Sequence, residues 1–184
     1  MATERLAGVS ATWCVVGGWS IDLFLGGQTR SHDDLEIATI RSDLATIRTA
    51  LSPLVLHVVG DGEVRRLPPD DAPPLSRHQH WFLDEPADAW RLDVMVEPGD
   101  DETWVYRRDE RIAAPRREMV GRTPEGVPYL RPHGSLLYKA KEPRPKDEAD
   151  FEQARPHLSV VERTWLSAAL DLLHPGHPWI ARLQ

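Results

Sequence analysis

A chain of 184 residues, 41% hydrophobic and 28% charged, is sized for one globular domain that buries roughly two-thirds of its unfolded surface. Its formal net charge of -7 argues against broad nucleic-acid binding, which needs a basic face to neutralise phosphates. No apolar run approaches the roughly 18 residues of a membrane span, the first residues lack the basic and apolar segments of a signal peptide, and the lone Cys14 leaves no intrachain disulfide, so a cytoplasmic protein is expected.

The apolar run Thr12 to Val16 predicts a strand that buries Cys14 and stops at Gly17-Gly18. Trp19, Ile21, Leu23, Phe24 and Leu25 follow at mixed helical spacing before Gly26-Gly27 ends the helix. Leu35, Ile37 and Ile40 mark a second strand, and Ser42-Asp43 can cap a helix from Leu44 to Leu51. Short strands are expected at Leu54 to Val59, Glu63 to Leu67, Trp81 to Leu83, Arg91 to Val96 and Thr103 to Tyr106, with a Pro-rich surface loop from Pro68 to His80. From Gly134 the spacing is helical through Leu173, and His174-Pro175-Gly176-His177-Pro178 reads as a helix stop. These elements predict an α/β core over residues 1–130 and a C-terminal helical region over residues 131–184.

The chemistry is concentrated in Val16-Gly17-Gly18-Trp19-Ser20 and, with fifteen residues between Gly18 and Asp34, in Asp34-Leu35-Glu36. Alternate side chains of a strand share a face, so Asp34 and Glu36 are expected to point together while Leu35 and Ile37 enter the core. Paired carboxylates make a hard oxygen site suited to Mg²⁺. A glycine pair between strand and helix lets backbone amides approach phosphate oxygens, and a helix N-terminus favours negative charge.

The segment from Gly17 to Glu36, with its Gly-Gly-Trp start and Thr29-Arg30-Ser31-His32 before the carboxylates, resembles the DNA polymerase β-type nucleotidyltransferases, in particular the aminoglycoside 2''-adenylyltransferase and lincosamide nucleotidyltransferase branch. The resemblance is strong over residues 12–40 and fainter in the C-terminal half. It implies a mixed twisted sheet flanked by helices, and a third carboxylate on a neighbouring strand. The best match is Asp93 in Arg91-Leu92-Asp93-Val94-Met95-Val96, whose Leu92, Val94 and Val96 would face the core; Glu97 is the nearest rival.

The resemblance further implies two Mg²⁺ ions held by Asp34, Glu36 and Asp93, with Asp93 as general base, and ATP or another nucleoside triphosphate as co-substrate. Gly17, Gly18, Ser20, Arg30, Lys139 and Lys141 are the candidate nucleotide-binding residues. Lys139, Lys141 and Lys146 are the only lysines of the chain, clustered where a phosphate tail could be met. His32 could tune the metal site or serve only a turn, and Asp147 and Asp150 could order the adjacent helix. The acceptor expected is the hydroxyl of a small molecule of aminoglycoside or lincosamide type, and the acidic run Glu97, Asp100, Asp101 and Glu102 would suit a cationic one. A protein acceptor and a non-catalytic nucleotide-binding protein are the alternatives, in a monomer or homodimer.

Overall fold

The computed structural model describes residues 2–184, within which eight strands form one mixed sheet and two more form a separate ribbon. In chain order the elements are α1 (Ala2–Leu6), β1 (Trp13–Val15), α2 (Gly17–Leu25), β2 (Glu36–Ile40), α3 (Leu44–Ala50), β3 (Val55–Gly60), β4 (Glu63–Arg66), β5 (Gln79–Asp84) and β6 (Ala89–Glu97). They continue with β7 (Thr103–Val105), β8 (Ala113–Pro115), α4 (Arg116–Met119), β9 (Val120–Arg122), β10 (Pro128–Leu130), α5 (Pro132–Lys139), α6 (Pro145–Ala154), α7 (Val160–Leu173) and α8 (Pro178–Leu183). The sheet runs β4-β3-β5-β6-β2-β1-β10-β9, parallel at β2–β6 and β1–β10 and antiparallel elsewhere. The expected strand at Thr103 pairs with β8, outside this sheet.

Strand alternation divides the sheet into two faces. Val15, Ile37, Leu56, Val58, Phe82, Leu92, Val94 and Val96 pack one core with Leu44 and Ile47 of α3 and Leu51 at its C-cap, which recur at helical spacing. Across the sheet, Cys14, Val16 and Ala38 pack a second core with Leu136 and Leu137 of α5, Phe151 of α6 and Leu166 and Leu170 of α7. This second core joins residues on both sides of position 130, and β10 is itself a sheet strand, so the helices share the hydrophobic interior of the strands.

Local signals set the helix ends. Gly26 closes α2 with φ 78°, a left-handed conformation that glycine takes without steric strain. Ser159 and Glu162 form a reciprocal capping box at the start of α7. No helix of the described residues is long and apolar enough to cross a membrane.

Candidate active site

Two parallel neighbours, β2 and β6, bring Glu36 and Asp93 into direct register, and the Asp93 amide donates to Leu35 O at 3.0 Å. Asp93, Met95 and Glu97 share the face opposite Leu92, Val94 and Val96, as alternation predicts. Asp34 differs from the sequence expectation: β2 begins only at Glu36, and Asp34 stands exposed in the loop that leads into it. Its carboxylate still acts on both partners. Burial lifts Glu36 to about 7, and the charges of Asp34 and Asp93 add to the effect. Burial lifts Asp93 to about 6 against the opposing influence of Gln79 and Trp81, with Asp34 again raising it. Gln79 Nε2 donates to Asp93 Oδ2 at 2.6 Å, whereas Asp93 Oδ1 is buried without a hydrogen-bond partner.

The glycine pair has two distinct local roles. Gly17 adopts φ 68°, and a Cβ there would lie 1.7 Å from Glu36 Oε2, so a side chain would strain the backbone and push the carboxylate aside. Over Gly18 lie the ends of Arg30 and His32, at 2.4 and 2.5 Å from where its Cβ would be. Its Cα face is therefore covered by side chains. The N-terminus of α2 itself carries no side-chain cap, and Gly17 opens onto the main cavity.

Three sequence candidates are placed differently from a free nucleotide contact. Ser20 is fully buried, donating to Gly17 O at 2.8 Å and lying 2.6 Å from Ser135 Oγ of α5. Arg30 makes a forked pair with Asp150, at 2.9 and 3.0 Å. Lys139 Nζ lies 2.9 Å from both Asp147 and Asp150, and its side chain is only 9% exposed. Burial opposes ionisation of Asp150, but hydrogen bonds from Arg30 and Lys139 outweigh it and hold the carboxyl below its ordinary range. Lys141 alone of these keeps an exposed side chain on the cavity wall.

Ser20→Ala should therefore cost about 1 kcal/mol of stability, the worth of a buried hydroxyl's hydrogen bonds, and leave nucleotide affinity unchanged. Denaturant melts and nucleotide titration on one preparation check this; a selective loss of affinity would restore Ser20 as a ligand.

Sequence reasoning missed Asp22, a buried acid inside the apolar helix α2. It accepts from Thr29 N at 3.1 Å and Thr29 Oγ1 at 2.5 Å, and pairs with His32 Nε2 at 2.5 Å. The His32 ring also packs on Trp19, with centroids 4.5 Å apart. These contacts pin the loop that carries Asp34 to the helix that follows Gly17. A lone acid between Ile21 and Leu23 was the available signal.

A cavity of about 810 Å³ lies between this sheet face and the C-terminal helices. Gly17 and Glu36 stand at its wall with Lys141, Arg107 and Arg108, while Ala38 and Met95 also line it. Asp100, Asp101 and Glu102 are exposed and do not line it; Asp101 borders a different depression with Arg116 and Arg117. Only Glu97 of the acidic run reaches the cavity. It is buried, its Oε1 accepts from Trp104 Nε1 at 3.2 Å, and burial lifts it to about 7 despite Arg116. The acidic loop thus gives no support to a cationic acceptor at this cavity.

Three comparisons bear on identity. A solved structure of ANT(2'')-Ia in complex with adenylyl-2''-tobramycin has a TM-score of 0.61 at 17% identity, covering 93% of this chain and 94% of that one. The lincosamide antibiotic adenylyltransferase LnuA, lincomycin-bound, has a TM-score of 0.55 at 14% identity, covering 82% and 89%. An antigenic nucleotidyltransferase-like protein from Paracoccidioides brasiliensis has a TM-score of 0.51 at 14% identity, covering 98% and 87%. At these identities the likeness is one of fold. No curated protein sequence matches the chain. The sequence profile of the aminoglycoside-2''-adenylyltransferases matches residues 2–153, most of its length. The chain belongs to that family, within the polymerase β-like nucleotidyltransferase superfamily.

Proposed function

We propose that the protein transfers a nucleoside monophosphate from a nucleoside triphosphate, ATP first among them, to a hydroxyl of a small molecule and releases pyrophosphate. The observation that carries this reading is the register of Glu36 with Asp93 across β2 and β6, with Asp34 at the strand entrance and the uncapped start of α2 beside them. The acceptor oxygen would attack the α-phosphorus, the new P–O bond forming as the α–β anhydride bond breaks. Asp93 would take the hydroxyl proton: Gln79 fixes one oxygen and leaves the other without a partner.

Asp34, Glu36 and Asp93 have the donor chemistry for Mg²⁺, and the unpartnered Asp93 Oδ1 fits a cation ligand. Among the described residues, no group of three or more His, Cys, Asp or Glu is arranged as a formed metal cluster. Asp34 adds its charge to the burial that raises both Glu36 and Asp93, so a cation among the three would favour their ionised forms. When bound, magnesium would neutralise phosphate charge and ease ionisation of the attacking hydroxyl.

Pyrophosphate release, measured over four nucleoside triphosphates with magnesium and with tobramycin, lincomycin or simple sugars as acceptors, tests the reading. Acceptor-dependent release is expected, strongest with one nucleotide. Nucleotide binding without release for any acceptor would point instead to a binding protein.

A further inference from the structure

The pairing of β5 with β6 slips between Phe82 and Leu83. Phe82 faces Leu92, but Leu83 faces Trp90, so Arg91 has no partner in the ladder. Regular alternation would place Trp90 in the core with Leu92, Val94 and Val96. The extra residue turns it over, onto the face that carries Asp93. Trp90 is 50% exposed there, its ring 5.4 Å from Trp81 and 5.0 Å from His57, both edge-on. Trp81 is in turn the direct cross-strand neighbour of Asp93. The three rings form a step that starts at the Asp93 carboxyl and runs out over β5 and β3.

The cavity is walled by Lys141, Arg107 and Arg108, which suits a polyphosphate, and it reaches Gln79 and Met95 on one side of Asp93 along β5 and β6. On the other side of Asp93 along these strands, the surface open to an acceptor is that of Trp81 and Trp90. We propose that these rings are the acceptor platform and that they take a saturated, hydroxyl-bearing ring of the sugar class. This proposal rests on the transfer reading above.

The interplanar angle of 65° between Trp81 and Trp90 makes a corner, not a slot. A flat ring covers one wall of a corner, whereas a chair-shaped ring presents C–H bonds to both. The charged groups at the rim neutralise one another in pairs, Arg66 with Glu85 at 3.2 Å and Arg91 with Asp84 at 3.0 Å. Ring contact, and not net charge, therefore carries the selectivity.

Saturation-transfer NMR with methyl β-D-glucopyranoside and with tobramycin, on the wild type, Trp90→Ala and Trp90→Phe, tests the platform. Saturation of ring C–H protons is expected in the wild type, reduced about five- to tenfold by alanine and largely kept by phenylalanine. For the glucoside it should persist between about 0.1 M and 1 M salt. ATP affinity should be equal in all three proteins. No saturation in the wild type, equal saturation in Trp90→Ala, or a selective fall in ATP affinity overturns the proposal, the last by assigning the rings to the nucleobase. Sugar saturation without any acceptor-dependent pyrophosphate release leaves the platform standing and sinks the transfer reading. Release with an acceptor KM unchanged in Trp90→Ala does the reverse.

Discussion

Asp93→Asn should lower the transfer rate by about a thousandfold, the usual scale for loss of a positioned general base, while nucleotide affinity changes by less than about threefold. The asymmetry follows from the surroundings of the carboxyl. Asparagine keeps an oxygen for Gln79 Nε2, so β5 and β6 hold their register, but the second position can no longer accept a proton. Single-turnover rates and titration with a non-hydrolysable nucleotide separate the two effects. Equal losses would make Asp93 chiefly a nucleotide ligand. Unchanged turnover would pass the base to Glu97, although four strand residues place it roughly 13 Å along β6.

Glu36→Gln should abolish transfer and at the same time stabilise the metal-free protein above pH 7. Burial raises the folded-state Glu36 to about 7 from an ordinary value of 4.5. A carboxyl raised in this way favours the folded state fully below the unfolded value and loses that contribution as pH climbs through the folded one. The wild type is therefore penalised progressively between about pH 4.5 and 7. Glutamine removes a penalty of roughly 2–3 kcal/mol, which for a chain of this size raises the melting temperature by about 5–10 °C at pH 8. Near pH 4 the two proteins should melt together, and added magnesium at pH 8 should stabilise the wild type much more than the variant. A variant that melts lower than the wild type at pH 8 would show that Glu36 is held by contacts its charge does not disturb.

Much of this site was legible because strand parity is a strong constraint. Leu92, Val94 and Val96 needed the core, which left Asp93 on the other face, and β2 then supplied Glu36 opposite it. Trp90 lay outside the strand expected over Arg91 to Val96, and the bulge that places it has no signature in the alternation itself. Gln79 lay inside what composition marked as a Pro-rich loop, so its contact with Asp93 was out of reach. In the sequence Ser20, Arg30 and Lys139 read as nucleotide contacts. Their partners Ser135, Asp147 and Asp150 come from distant helices, and only the tertiary fold shows that these polar groups answer one another. The strands β9 and β10 are three residues each, too short for a periodic pattern to register.

The forked pair of Arg30 with Asp150 spans 120 positions of the chain, and Lys139 ties Asp150 to Asp147 at the same point. During synthesis Arg30 leaves the ribosome well before Asp150, the carboxylate that holds it in the folded protein, has been made. Contacts of such long range form late, after loop closure has been achieved by the intervening strands. The loop bearing Asp34 thus gains its final support only when α6 docks, and a nascent or truncated chain ending before that helix would carry the site's sequence without its geometry.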